Sequence, residues 1–258
     1  MSATPEDIFA SHEERQPGAR AALKGKVNGV IVFLDVDDTI LKEVDLKKHR
    51  GKDMVQLITY KPSEYVMSKY KARLKEATDP SKELHYEIHE DGETITSAVA
   101  VRPGMDALLA TIAKFEGVQS QGCIRDYVLV SANDDGRTAA VCEQLSVGGK
   151  KIKDWGFRTC PRDVSIKNRK KELPSIKEWA NLPHGEGSVC MTVFVDDKPE
   201  DIVNGNISDV IIPCEPFGKD CVAAYVETGS MGSECQTDKY LVPAMESILG
   251  FAQENASQ

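Results

Sequence analysis

The chain has 258 residues, 41% hydrophobic and 28% charged, with a net charge of -9. That length suits one core with an inserted segment, and the acidic balance argues against a general nucleic-acid or membrane-surface binder. No stretch approaches the ~20 apolar residues of a membrane span.

The opening segment, "MSATPEDIFASHEERQPGAR", is polar and mixed in charge, so it does not read as a secretory signal. Residues 1–25 are expected to be loosely held. Next comes "KVNGVIVFLDV" (26–36), a continuous apolar run rich in Val, as a strand buried on both faces should be. It ends in Asp35, Asp37 and Asp38. That many carboxylates side by side are costly unless a cation or a reaction uses them.

The following segment does not continue this pattern. "PSEYVMSKYKARLKEATD" (62–79) reads as a helix. "LHYEIHEDGETITSAVAV" (84–101) shows two partly alternating runs around Asp91-Gly92, which predicts a hairpin. Residues 53–100 are therefore expected to form an insertion of helix plus hairpin over the active edge. "RPGMDALLATIAKFEG" (102–117) predicts a helix with Pro103 in its first turn and Gly117 as its stop.

Strand and helix then alternate. "YVLVS" (127–131) is a strand and "DGRTAAVCEQL" (135–145) a helix. "MTVFV" (191–195) and "DVIIP" (209–213) are strands, and "TDKYLVPAMESILGF" (237–251) is an amphipathic helix. This order predicts an α/β fold, a doubly wound and mainly parallel sheet, with one domain over 26–252 and a tail at 253–258. Ligands of such sheets bind at the carboxyl ends of the strands. Three strands place polar residues there: Asp35 and Asp37, Ser131, then Asp196 and Asp197.

Seven cysteines (Cys123, Cys142, Cys160, Cys190, Cys214, Cys221 and Cys235) form no CxxC pair. Reduced, mostly buried thiols in a cytoplasmic or nuclear protein are expected rather than a disulfide framework.

Asp35 and Asp37 are two residues apart at a strand end, so their side chains can face one substrate. Together with Asp196 and Asp197 they form a hard-oxygen set suited to Mg²⁺. "SIKNRKKELPSIKEWA" offers Lys167, Lys170, Lys171 and Lys177 to neutralise a carboxylate and a phosphate oxygen. From Lys150 to Lys177 there are ten Lys or Arg against three Asp or Glu, a balance of +7. A stretch of that sign draws an anionic substrate, whether a phosphorylated protein segment or a nucleic-acid end.

"DVDDT", "VLVSAN" and "VFVDDKPED" resemble the first, second and fourth motifs of the haloacid dehalogenase superfamily. "VAVRPGMDALLATIAKF" and the tail from "DVIIPCEPF" to "MESIL" are similar to its FCP/SCP-type branch, phosphatases of the RNA polymerase II carboxy-terminal domain and related proteins. "DVDDT" stands where that branch usually has Asp-Leu-Asp-Glu-Thr.

The resemblance implies a phosphoric monoester hydrolase. Asp35 would be the nucleophile that forms an aspartyl-phosphate, and Asp37 the acid/base. Thr39, Ser131 and a lysine would bind the phosphate. Mg²⁺ would be held by Asp35, Asp196, Asp197 and the backbone carbonyl of Asp37. A Lys-Asp-Leu segment precedes the fourth motif in that branch; "KEL" at 171–173 matches it best, which selects Lys171 with Lys170 in reserve.

The metal is expected to keep Asp35 ionised, while burial and like-charge repulsion favour a protonated Asp37. A phosphoprotein is the expected substrate. A polynucleotide 3′-phosphatase, a small-metabolite phosphatase and a catalytically silent protein-binding module are the alternatives, and no membrane partner is expected.

Overall fold

The computed structural model of the chain describes residues 12, 14, 16–76, 85–115, 124–180, 189–203, 205–229 and 237–256. The first long strand, β1 (Val27–Asp35), is buried at every residue but Asn28. It pairs in parallel with β6 (Ile124–Val130) on one side and β12 (Val189–Asp196) on the other. β9 (Phe157–Thr159) and β14 (Asp209–Pro213) extend the sheet to the order β14-β12-β1-β6-β9, parallel throughout. Chain order moves outward from β1 in both directions, so β1 lies at the switch point of a doubly wound α/β sheet.

Alternation along β1 builds a core on each face. Val30, Val32 and Leu34 point to one side, where they meet α4 (Met105–Lys114), α5 (Asp135–Gln144) and α9 (Thr237–Glu254). Ile31 and Phe33 point to the other, against Leu173 and Ile176 of α7 (Leu173–Trp179). Phe33 stacks on Phe194 with ring centroids 5.4 Å apart. Strands covered on both faces need apolar residues at every position, which is why their sequence runs do not alternate.

The inserted segment is larger than helix plus hairpin. The expected hairpin is present as β4 (Tyr86–Ile88) paired antiparallel with β5 (Ile95–Val101). β5 also pairs with β3 (Val55–Tyr60) and with β2 (Leu41–Glu43), a strand that precedes residue 53, so the inserted sheet, four-stranded and antiparallel, begins before the expected insertion. A short helix, α2 (Leu46–His49), follows β2, and α3 (Glu64–Glu76) follows β3. β2 and β3 escaped the sequence reading because they are short and half-buried.

The insert is docked on the N-terminus of α5. Asp134 caps that helix by accepting from the Gly136 amide (3.0 Å) and also accepts from the Ser63 amide (3.1 Å). A Cβ on Gly136 would lie 2.4 Å from the Lys61 carbonyl oxygen, so only glycine permits this approach.

Smaller differences concern the ends. α4 starts at Met105, with Gly104 at φ 78° as its N-cap, so Pro103 precedes the helix. Gly117 and the 77–79 end of the expected helix lie outside the described residues. Within the segment read as loosely held, α1 (Ala19–Leu23) buries Ala19 and Leu23. At the other end α9 runs to Glu254, and Ala256 bridges Val27. Cys142, Cys160 and Cys214 are free and buried as expected, and Cys190 is buried. Cys221 is disulfide-bonded, against the expectation of thiols throughout. Among the described residues no helix is long and apolar enough to cross a membrane.

Candidate active site

Register puts the acidic strand ends at one level. Leu34 pairs with Val195, so Asp35 and Asp196 end neighbouring strands side by side. Asp35 pairs with Val130, so Ser131 follows directly on the other flank. After β1 the chain turns sharply at Asp38, whose φ of 60° is left-handed. The Asp38 carbonyl accepts from Arg102 Nη2 (2.8 Å) and from the Phe217 amide (2.6 Å), which fixes the turn.

Lys171 comes from a separate hairpin. β10 (Ile166–Lys167) and β11 (Lys170–Glu172) are joined by Asn168 and Arg169, at φ 51° and 67°. Two left-handed central residues match the twist of a tight hairpin. β11 then pairs in parallel with β13 (Ile202–Val203), which follows the Asp196-Asp197 loop, and so brings Lys171 to the sheet edge. Lys171 is 6% exposed. Its Nζ donates to Asp35 Oδ1 at 2.5 Å and also to Asp196 Oδ2. Of the other lysines, Lys167 donates to Ser175, Lys177 pairs with Asp209, and Lys170 is exposed.

One carboxylate oxygen each from Asp35, Asp196 and Asp197 lies within 4.8 Å of the others. Among the described residues Asp197 Oδ2 is buried without a hydrogen-bond donor, and Lys198 Nζ lies 3.8 Å from it. Three carboxylates face the buried Lys171 ammonium and the more exposed Lys198, which leaves the cluster net negative. A divalent cation balances that charge, and an all-oxygen donor set suits Mg²⁺. In the protein alone, burial pushes the Asp35 carboxyl up to about 7, against the pull of Lys171. Burial also raises Asp197. Burial alone would lower Lys171, yet Asp35 and Asp196 hold it above its ordinary value.

These groups floor a cleft of about 210 Å³, with Asp37 at one side and Asn133, Arg169 and Lys198 among its rim. Thr39 and Ser131 do not line it. Thr39 is 1% exposed; its hydroxyl accepts from the Asp197 amide at 3.1 Å and donates to Asp197 Oδ1 at 3.4 Å. Ser131 is 2% exposed, donates to Asp37 Oδ2 at 3.1 Å and accepts from the Asn133 amide at 3.0 Å. Both hydroxyls are hydrogen-bonded to protein groups of the site.

Sequence reasoning missed Arg137 and Glu43. Arg137, in the first turn of α5, is 2% exposed. Its Nη1 donates to Asp37 Oδ2 (3.1 Å), its Nη2 lies 2.7 Å from Asp37 Oδ1, and its Nε donates to Glu43 Oε1 (3.1 Å). A cation thus neighbours Asp37, in addition to the Asp35 carboxylate with which it interacts. Burial opposes the charge on Arg137, and Asp37 and Glu43 more than restore it. Nothing local in "DDGRTAAV" announced a partner 100 residues away.

No family model matches the chain, and no curated protein matches it. Among solved structures it is similar to Fcp1, an essential RNA polymerase II CTD phosphatase, at 15% identity and a TM-score of 0.42, over 95% of this chain and 55% of that one. It is also similar to a fission yeast RNA polymerase II CTD phosphatase Fcp1 bound to beryllium fluoride, at 13% identity and a TM-score of 0.35, over 80% of this chain and 44% of that one. The chain thus spans about half the length of the structures it matches.

Proposed function

We propose that the chain is a Mg²⁺-dependent phosphatase that hydrolyses phosphomonoesters through an aspartyl-phosphate on Asp35. The observation that carries this reading is the buried cluster of Asp35, Asp196 and Asp197 on one lysine, at the carboxyl edge of a parallel sheet. In this reading one domain spans 26–252, with the insertion at 53–100.

Asp35, Asp196 and Asp197 would hold the metal, joined by the backbone carbonyl of Asp37 as the motif resemblance implies. When bound, Mg²⁺ neutralises charge that otherwise opposes the approach of a carboxylate to a phosphate. Asp35 attacks phosphorus; its oxygen–phosphorus bond forms as the ester oxygen–phosphorus bond breaks. Asp37 gives that leaving oxygen a proton, then takes one from the water that hydrolyses the intermediate. Lys171 holds Asp35 in the attacking position and meets a phosphoryl oxygen when substrate enters. Thr39 fixes Asp197, and Ser131 fixes Asp37.

The substrate proposed is a phosphoprotein, on phosphoserine, phosphothreonine or phosphotyrosine. The +7 stretch from Lys150 to Lys177 supports an anionic macromolecule, and it equally favours the second reading, a 3′-phosphatase on nucleic-acid ends. The compartment proposed is the cytoplasm or nucleus, from the buried thiols of Cys142, Cys160 and Cys214; the disulfide at Cys221 weighs against it.

The test is phosphate release from para-nitrophenyl phosphate with and without EDTA, followed by a panel of phosphopeptides, nucleotide 3′-phosphates and small metabolites. Loss of activity in EDTA and its return with Mg²⁺ are expected, with phosphopeptides preferred. No turnover of any panel member, with stable capture of a protein partner, would mean a silent binding module instead.

A further inference from the structure

The second charged cluster of the site is built on Arg137. Its guanidinium is nearly sealed from water, whereas the side chains of its partners Asp37 and Glu43 keep 32% and 30% exposure. A buried guanidinium without carboxylate partners is costly, so this one holds its partners in place. Its planar fork suits two carboxylates approached from different edges. Asp37 belongs to the loop after β1, and Glu43 ends β2 of the inserted sheet.

The two oxygens of Asp37 are treated differently. Oδ2 accepts from Ser131 Oγ (3.1 Å), Asn133 Nδ2 (2.5 Å) and Arg137 Nη1 (3.1 Å). Among the described residues Oδ1 meets Arg137 Nη2 alone, at 2.7 Å. Since Asp37 lines the cleft, Oδ1 is the oxygen left for a reacting group. Its direction depends on the plane of the carboxylate, which Arg137 spans from Oδ1 to Oδ2.

We propose that Arg137 is a positioning residue for Asp37, anchored by Glu43, so that the inserted sheet sets the aim of the acid/base. This rests on the phosphatase reading, in which Asp37 moves protons and Asp35 binds phosphorus. Arg137 touches neither Asp35 nor the Asp196-Asp197 pair, so its removal acts on proton transfer and not on phosphoryl binding.

The experiment compares Arg137→Ala, Arg137→Lys and Glu43→Gln with wild type. For each, kcat and KM on a phosphoserine peptide are measured with the inhibition constant of orthovanadate, a phosphoryl mimic. Turnover is expressed per vanadate-binding site, so unfolded protein does not count. Misaiming a reacting group by an ångström costs about 100-fold, and that is the fall in kcat expected of Arg137→Ala. The vanadate constant should stay within about twofold, because its contacts are made elsewhere. Arg137→Lys should recover part of kcat, and Glu43→Gln should lose less than Arg137→Ala.

Two results overturn the proposal alone: unchanged kcat per site in Arg137→Ala with only a lower melting temperature, or equal losses of vanadate binding and turnover. Wild type inactive on every substrate overturns the phosphatase reading, and this inference with it.

Discussion

The two sheets divide the work of the site unequally. The parallel sheet delivers its groups by register alone: β1 and β12 end level, so Asp35 and Asp196 meet wherever those strands pair. The inserted sheet delivers Glu43 indirectly, through Arg137, to a residue of the loop after β1. Burial follows the same division. β12 is buried at every residue after Val189, while β3 alternates and leaves Leu57 42% exposed. The difference teaches that in this chain charge balance at the sheet end comes from the core, and aim comes from the insert.

The strongest way to break that division is at the core. Asp35→Asn removes the proposed nucleophile, which is also a proposed metal ligand. Turnover of para-nitrophenyl phosphate should fall by about 10⁴-fold or more, the scale seen when a nucleophile is removed. Rapid mixing should show no burst of para-nitrophenolate. Activity that persists in both Asp35→Asn and EDTA would sink the mechanism.

Lys171→Met separates the lysine from the metal. It leaves Asp35 and Asp196 buried without their cation, a change that costs about 3–5 kcal/mol when a buried pair is broken. Thermal unfolding should therefore drop sharply without divalent ions. A cation that binds only the folded form stabilises it, so added Mg²⁺ should raise the melting temperature of the variant if the site holds it as proposed. If Mg²⁺ left the variant unmoved while stabilising wild type, lysine and metal would not share the charge as argued.

Packing offers a third comparison. Leu34 on β1 is fully buried, and Leu34→Ala should cost about 2–5 kcal/mol. Leu57 on β3 is half in water, and Leu57→Ala should stay within about 0.5 kcal/mol. Urea titrations of both variants measure the contrast. Equal losses would mean that the insert packs as tightly as the core.

The same contrast explains what was legible in the sequence. "VIVFLDV" and "MTVFVDD" announce themselves, because strands buried on both faces need unbroken apolar runs and their carboxylates interrupt them abruptly. β2 and β3 carry no such run; "LKE" and "VQLITY" mix polar and apolar residues because one side meets water. Lys171 was distinguished from Lys170 by resemblance, since five cations stand in "KNRKK" and its surroundings without any periodic signal. Arg137 was illegible for a different reason. Its helix reads correctly, but its partners are 94 and 100 residues distant. Thr39 was visible as part of a motif, yet which way its hydroxyl turns depends on Asp197 arriving from another strand.

The smallest expected effect lies farthest from the cleft, in the turn of the inserted hairpin. Asp91 Oδ2 accepts from the Thr94 hydroxyl at 2.6 Å, and Oδ1 accepts from the amides of Glu93 (2.8 Å) and Thr94 (2.9 Å). These bonds favour the ionised form, the Thr94 hydroxyl most, and hold the carboxyl at about 2 against an ordinary 3.8. The folded turn therefore binds its proton less readily than the unfolded chain. Its contribution to stability is complete above 3.8 and is lost as pH falls through about 2. Asp91 is fully exposed, so the change should be local to the hairpin and leave the parallel sheet unmoved. Amide proton shifts of Glu93 and Thr94, followed by NMR, should titrate together with a midpoint near the depressed value. Asp91→Asn should keep the turn and abolish the titration, because an amide oxygen still accepts but carries no proton to lose. A midpoint near 4 in wild type would mean that the turn does not hold its carboxylate, and that the hairpin owes its register to β5 pairing alone.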